Sequence, residues 1–398
     1  MEAKNIINTE KTSIHATKKL FYEDSFIKKF TATVLACEKK ENKYCVILDQ
    51  TAFFPEGGGQ AGDTGCLNGI KVTDTQEKQG VIWHETEHFL EPGTIVEGIL
   101  DFEKRFSRMQ QHTGEHIISG IVHQLYGYEN VGFHLGEEVT TLDFNGELTT
   151  DQVEAVERLA NQAVFTNLPI EILYPSKAQL EEMEYRSKIE IEGQVRIVCI
   201  LGVDQCACCA PHTKFTGEIG LIKILSCERH RGGCRMVMVS GMRALLDYQK
   251  KEKSVNCVST ALSAKPEKIS EAVLHLKEQQ AKLRVQLNKM QEVYLKGKLD
   301  AISSMDDMVV LFEEELDQIA VRNFINEAME RCTTCAAFIG TDDTGYRYIL
   351  GSKKEDMRVL AKRLNDSFSG KGGGKPEMVQ GSLNGCREEI KIVLKSRE

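Results

Sequence analysis

Residues 101–126 read DFEKRFSRMQQHTGEHIISGIVHQLY, and the reading of this stretch organises the rest of the chain. Phe102, Phe106, Met109, Ile117, Ile121 and Leu125 recur at helical spacing behind Asp101, a good N-cap residue. One amphipathic helix from Asp101 to about Tyr126, packed on a core, is therefore expected. His112 and His116 are four residues apart and project from one face of that helix. Downstream, Cys208-Cys209-Ala210-Pro211-His212 repeats the spacing with Cys208 and His212. Zinc prefers four nitrogen or sulfur ligands in a tetrahedron, so three imidazoles and one thiolate predict a Zn2+ site. Cys206, Cys208 and Cys209 could each supply the thiolate, and the spacing to His212 favours Cys208. His123 and His134 lack ligand spacing and read as core or pocket residues. Cys332 and Cys335 have no second pair beside them and read as structural.

The whole chain sets bounds on this site. Its 398 residues allow two or three domains, with 41% apolar and 27% charged residues, an ordinary globular composition. No apolar run reaches the roughly 18 residues that cross a bilayer, and the first residues lack a secretory core, so a cytoplasmic protein with no membrane partner is expected. The 13 cysteines are odd in number and scattered, which favours reduced thiols over a disulfide framework. A net charge of −9 argues mildly against nucleic acid, but a local basic stripe would still bind phosphates.

Working outward from the helix, the expected fold class is α+β in several parts. Residues 1–18 read as a disordered N-terminal extension. Residues 19–100 read as a β-rich, barrel-like subdomain with strands at Phe30–Cys37, Tyr44–Leu48 and Val81–Glu85. Within it lies Phe53-Phe54-Pro55-Glu56-Gly57-Gly58-Gly59-Gln60, continuing through Gly62, Asp63 and Gly65. Its three consecutive glycines permit positive φ and close backbone approach, as a tight turn or a ligand contact. Residues 101–248 read as an α+β zinc-binding domain with a second helix at about 150–166. Its further strands are expected at Ile170–Tyr174, Val195–Val203, Lys223–Ser226 and Arg235–Ser240. Residues 249–300 hold Ile269, Val273, Leu276, Gln280, Leu283, Leu287, Met290 and Tyr294 at alternating spacings of four and three, the seam of a coiled coil. A homodimer through this 266–296 helix and the C-terminal domain is expected. Residues 301–398 read as a small α/β domain with a helix at about Glu355–Phe368. A loop follows, Gly370-Lys371-Gly372-Gly373-Gly374-Lys375-Pro376, and its proline excludes a phosphate loop of the Walker type.

His112-Thr113-Gly114-Glu115-His116 also satisfies the inverted zincin motif, with Glu115 as general base. Such a peptidase needs a further carboxylate ligand, and Glu184, Glu190 and Glu192 are the candidates. That reading leaves the cysteine–histidine pair unexplained.

Four motifs in order carry a family resemblance. They are Phe54-Pro55-Glu56-Gly57-Gly58-Gly59-Gln60, the histidine pair, Cys208 to His212, and Thr216-Gly217-Glu218-Ile219-Gly220. Together they resemble the long type of alanyl-tRNA editing protein, which is similar to the editing half of alanyl-tRNA synthetase. The glycine–lysine loop resembles the DHH-associated domain that ends that synthetase. The resemblance covers about residues 19–398 and implies a freestanding editing factor without the aminoacylation and tRNA-recognition domains, an ATP-binding fold being absent. One departure stands out: the synthetases usually carry Cys-Gly-Gly-Thr-His where this chain has Cys208-Cys209-Ala210-Pro211-His212. The metal positions survive, and the flexible glycines do not.

The resemblance implies an aminoacyl-tRNA deacylase. It would hydrolyse, in trans and with Zn2+, the ester of tRNA(Ala) mischarged with serine or glycine. Glycine, a methyl smaller than alanine, costs an alanine pocket only about 1–3 kcal/mol, and an added hydroxyl is rejected by on the order of 10². A second sieve that hydrogen-bonds serine's hydroxyl rejects alanine by roughly 10⁴ or more. Thr113 is the candidate for that contact, the alternative being a bond to its own backbone. Zinc would either activate a water, with Glu115 as base unless it faces solvent, or position the substrate's amino group. Gly57, Gly58, Gly59, Gln60, His134 and Thr216 are expected to contact substrate. The tRNA would be gripped by Arg358, Lys362 and Arg363, by the lysines Lys371 and Lys375, and by the backbone of Gly372, Gly373 and Gly374. Lys353 and Lys354 extend this basic group, and Arg231 to Arg235 is a smaller one facing the acceptor stem. The competing class is a non-catalytic tRNA-binding protein whose zinc is structural.

Overall fold

A computed structural model describes residues 16–187, 194–303 and 307–396. Most of the expected N-terminal extension, and Glu190 and Glu192, lie outside the described residues. The chain divides into two compact units, 1–254 and 255–398.

The first unit opens with six antiparallel strands: β1 (Lys29–Lys40), β2 (Lys43–Leu48), β3 (Gly65–Leu67), β4 (Ile70–Lys78), β5 (Val81–Thr86) and β6 (Ile95–Leu100). They close into a barrel in the order β1-β2-β5-β4-β3-β6. Alternation along each strand turns Ala32, Val34, Val46, Leu48, Leu67, Val72 and Val96 inward.

Helix α1 (Phe102–Tyr126) leaves the barrel at Asp101, whose carboxylate accepts the Lys104 amide as an N-cap, and ends on Gly127 at φ 68°. An amphipathic stripe describes only its ends. From Met109 to Val122 every residue is buried, while Leu125, expected in the core, is exposed. The helix is enclosed because it crosses one face of a four-stranded sheet ordered β12 (Ile222–His230), β13 (Gly233–Ser240), β8 (Thr140–Phe144) and β7 (Asn130–Leu135). Gly114 is required at that crossing, since a Cβ there would lie 2.5 Å from Ser240 Oγ. Helix α2 (Thr150–Thr166) starts from a capping box of Thr149 and Gln152 and packs beside α1. A three-stranded sheet of β9 (Ile170–Leu173), β10 (Ile197–Ile200) and β11 (Asp204–Ala207) completes the unit, with β10 shorter than the apolar run 195–203 suggested.

A buried clasp joins the barrel to α1. The Arg105 guanidinium is held by the Asp63 carboxylate through Nε (2.7 Å) and through NH2, and it also donates to Ala52 O (2.7 Å) and Ser25 O (3.2 Å). Asp63 Oδ2 accepts the Phe54 amide at 2.7 Å, so the same carboxylate fixes the start of the glycine-rich motif.

Helix α3 (Met242–Leu262) carries the chain from the first unit into the second. In the second unit, helix α4 (Ile269–Asp300) runs three residues past Gly297, and Pro266–Lys268 forms a 3-10 turn ahead of it. Along its seam Leu276, Leu283, Leu287 and Met290 are exposed. Then follow β14 (Met308–Glu313), α5 (Gln318–Ala328), β15 (Thr334–Thr341), β16 (Gly345–Ser352), α6 (Met357–Ser367), β17 (Lys371–Lys375), β18 (Met378–Leu383) and α7 (Arg387–Lys395). The five strands form one sheet ordered β14-β15-β16-β18-β17. The glycine–lysine segment expected as a loop is therefore an edge strand, paired in register with β18 from Lys371↔Ser382 to Lys375↔Met378. Helices α6 and α7 cover one face of the sheet, and α5 with the end of α4 covers part of the other.

Removing one partner of a buried ion pair costs about 3–5 kcal/mol, because the survivor remains buried and uncompensated. Asp63→Ala is expected to lower the urea midpoint of the first unit's unfolding by that free energy, with the second unit's transition unmoved.

Candidate metal centre

One ligand atom from each of His112, His116, Cys208 and His212 lies within 4.8 Å of the other three. The two histidines of α1 reach the centre by helical spacing. Cys208 and His212 do so from an irregular loop after β11, so their identical spacing is not a helical one. That loop is held by Arg196, which donates to Cys208 O (2.7 Å) and Ala210 O (3.1 Å), and by Ser25, whose hydroxyl donates to His212 O (2.9 Å).

Each imidazole has its Nδ1 engaged. His112 Nδ1 meets Gln60 Oε1 at 3.1 Å, His116 Nδ1 meets Asp204 Oδ2 at 2.8 Å, and His212 Nδ1 meets Thr113 Oγ1 at 3.2 Å. The Nε2 atoms are thereby turned toward Cys208 Sγ, which is 3.5 Å from that of His112 and 3.4 Å from that of His212. Orientation of ligating histidines through the second nitrogen is the usual construction of such centres. Burial, with His116, His112 and Arg196 nearby, holds the His212 imidazole well below its ordinary pKa and so neutral. Burial likewise pushes the Cys208 thiol up, with Cys209 adding to it. Three imidazoles and a thiol that a cation would deprotonate suit a tetrahedral divalent metal.

The structure redistributes several expected roles. Cys206 lies not with the four but with Asp204 and His116, and Cys209 is exposed. Thr113 is fully buried; besides meeting His212 Nδ1 it accepts from the Thr213 amide at 3.3 Å, so its hydroxyl is engaged with the segment that carries His212. Glu115 does not face solvent. Its Oε1 accepts from Ser119 Oγ (2.8 Å) and Asn130 Nδ2 (2.6 Å), and its Oε2 is 3.9 Å from His116 Nε2. Thr216 is also buried, donating to Ala163 O (2.7 Å) and accepting from the Leu168 amide (2.8 Å), so its hydroxyl ties two segments together. His134 is exposed, on the face of β7 opposite Phe133, so it is not a core residue.

Gly57, Gly58, Gly59 and Gln60 do adjoin the centre. Gly57 and Gln60 exchange backbone hydrogen bonds of 3.0 Å around Gly58 and Gly59 at φ 59° and 78°. The turn needs these glycines, because a Cβ at residue 59 would lie 2.7 Å from the Phe133 ring. Phe133 in turn packs on His112 at 4.8 Å between ring centroids. Gln60 is buried, and its Nε2 has no hydrogen-bond partner among the described residues.

Asp204, Phe133, Asn130 and Arg196 carry no local motif, and sequence reasoning missed them. Asp204 is fixed by Arg186, whose Nε and NH2 donate to its two oxygens at 2.8 and 3.0 Å.

In the second unit the expected basic group separates. Lys371, Gly372, Gly373, Gly374 and Lys375 are all exposed on β17. Arg358, Lys362 and Arg363 lie on α6, against the other face of the sheet. Arg358 is committed to Asp356 (2.6 Å), and Arg363 donates to Ser396 O (2.6 Å).

The model of the DHHA1 domain family matches residues 306–396. That of the second additional domain of threonyl and alanyl tRNA synthetases matches residues 195–237, which include Cys208 and His212. That of class II (A) tRNA synthetases matches residues 2–104. Over nearly its whole length the chain resembles alanyl-tRNA editing proteins. It is 28% identical to AlaX-L of Pyrococcus horikoshii over 94% of this chain and 96% of that one. It is 29% identical to Aarsd1 of Mus musculus over 91% and 93% respectively. It is also 31% identical to an alanine–tRNA ligase of Pyrococcus furiosus, matching 92% of this chain but 42% of the ligase.

Loss of a carboxylate behind a ligating histidine typically costs 10–100-fold in metal affinity. Asp204→Asn is expected to weaken divalent-metal binding by roughly that factor, measured by competition with a chromophoric chelator.

Proposed function

We propose that this chain, alike over nearly its full length to alanyl-tRNA editing proteins, is an aminoacyl-tRNA deacylase that clears mischarged tRNA(Ala). The observation carrying the proposal is the four-donor cluster set against the glycine turn, with a buried unpaired amide, Gln60 Nε2, beside it. The bound metal is Zn2+, which three imidazoles and a thiolate suit, and it would supply a Lewis-acidic centre to the ester.

The chain's own groups complete the chemistry. Gln60 spends Oε1 on His112 and keeps Nε2 as a donor; with Thr113 committed to His212, Gln60 is the group we assign to the serine hydroxyl. A site built to bond that hydroxyl leaves its donor unpaired when alanine enters, which is how alanine is spared. Glycine is the secondary substrate. Glu115 Oε2, beside the donor set, is assigned as proton acceptor, with Ser119 and Asn130 fixing the carboxylate. Lys371 and Lys375, with the bare backbone between them, supply tRNA contacts, and Lys362 is the cation of α6 that has no ion pair among the described residues.

A second copy of the chain is expected to cover the exposed seam of α4, giving a homodimer. No helix among the described residues is long and apolar enough to cross a membrane. A cytoplasmic location is the one that fits the proposed activity on aminoacyl-tRNA.

The peptidase reading loses support because Cys208 and His212 complete the donor set, while Glu184 is an exposed residue. Against the binding-protein reading, His112→Ala is expected to abolish deacylation of seryl-tRNA(Ala) while tRNA affinity is kept. Equal retention of turnover after metal removal would sink the zinc assignment. In the same assay Gln60→Ala should lower kcat on the serine ester by on the order of 10², the effect of losing one preorganised donor. Leu283→Lys with Leu287→Lys should convert a dimer to monomer in sedimentation equilibrium.

A further inference from the structure

The sheet of the second unit is covered unequally. On the face toward α5, side chains align in cross-strand rows. One row runs Ile339, Arg347, Ser382 and Lys371, and the next runs Ala337, Ile349, Gln380 and Gly373. Helix α5 packs Val321, Phe324 and Ile325 over the β15 and β16 ends of these rows. Beyond it the β18 and β17 ends are bare. The step between helix and sheet is a cleft of about 320 Å³, walled by Leu316 and Val321 and floored by Ile349 and Gln380, with Arg347 and Lys371 at its rim.

Three features specify the occupant. Arg347 and Lys371 are exposed and form no ion pair with any described residue, in a protein of net charge −9. Gly373 meets nothing within 4 Å where a side chain would stand, so a flat ring can lie against the backbone there. Gln318 and Gln380 each offer an amide donor and acceptor beside an apolar wall, the combination that reads a base edge. Lys375 shares the face of Lys371 by strand alternation, which continues the positive rim along β17.

From this juxtaposition we infer that the cleft between α5 and strands β16, β18 and β17 holds one unstacked nucleotide of the bound RNA. Its base lies on Ile349, Gln380 and Gly373 against Leu316 and Val321, and its flanking phosphates meet Arg347 and Lys371. The inference rests on the tRNA-binding reading and adds that recognition in this unit is of an unpaired base, not of a duplex surface. Neither Arg358 nor Arg363 takes part, since both are committed on the other face.

The test is fluorescence anisotropy of the full chain with labelled, uncharged tRNA(Ala) across a salt series. Arg347→Ala and Lys371→Ala should each weaken binding and flatten the slope of log affinity against log salt by about one. Ser382→Phe, which fills the cleft without changing charge, should weaken binding on the order of tenfold, the scale of one lost base contact, and leave the slope unchanged. A short single-stranded RNA should compete for the site and a duplex of equal length should not. Wild-type-like binding by the two cation variants, or equal competition by the duplex, would overturn the cleft proposal and leave the tRNA reading standing. No tRNA binding by the wild-type chain would overturn both. If Ser382→Phe fails to fold, the alanine variants at exposed Arg347 and Lys371 still decide the matter.

Discussion

Helix α1 has to lie buried from Met109 to Val122 against a four-stranded sheet, helix α2 and strand β11, and the rest of the first unit depends on that enclosure. A helix seated at its surface would present His112 and His116 to water on one face. Enclosed from Met109 to Val122, it can be met from several sides by groups remote in sequence: Gln60 from the glycine turn, Asp204 from β11, Ser240 from β13, and His212 from a loop. The Arg105–Asp63 clasp sets its position along the barrel, and the missing side chain of Gly114 sets its distance from β13.

Enclosure also determines the electrostatics of the centre. Desolvation disfavours charge on the His212 imidazole and on the Cys208 thiol alike, and a divalent cation is the species that reverses the preference for Cys208. Gln60, Asp204 and Thr113 each spend one polar atom on orienting a ring. After that only Gln60 retains a buried donor without a partner, and this asymmetry is what singles it out among the three.

In the second unit, strand alternation does the equivalent work. Gly372 and Gly374 turn toward α6, where a Cβ at residue 372 would lie 2.4 Å from the Tyr348 hydroxyl. Lys371, Gly373 and Lys375 turn the other way. One run of five residues thus lies close to the Tyr348 hydroxyl on one side and offers a bare, cationic edge on the other, and the basic side chains of α6 belong to a different surface.

The elements with strong local signals were legible in the chain. The cap at Asp101 starts α1, helical spacing marks α1 and α2, and β-branched and aromatic residues mark strands of the barrel and both strands of the β12–β13 hairpin. The four residues that cluster as candidate metal donors were singled out there too, because few residue types bind metals and their spacing was repeated. What local pattern could not supply was direction and partnership. Thr113 and Thr216 are chemically able to meet a substrate, and only the packed structure shows them engaged with His212 and with Ala163 and Leu168, while Glu115 spends one oxygen on Ser119 and Asn130. His134 and Phe133 are adjacent in sequence, yet the pleat sends one to solvent and the other onto His112. The glycine–lysine segment looked like a loop because glycine lacks strand propensity, and its hydrogen bonds to β18, a non-local interaction, made it a strand. The sequence by itself determined which chemistry was available, since that depends on residue type and short spacing. Tertiary structure decided which of those groups is free to act, since a buried polar atom is committed to whatever partner the fold brings within 3 Å or so of it.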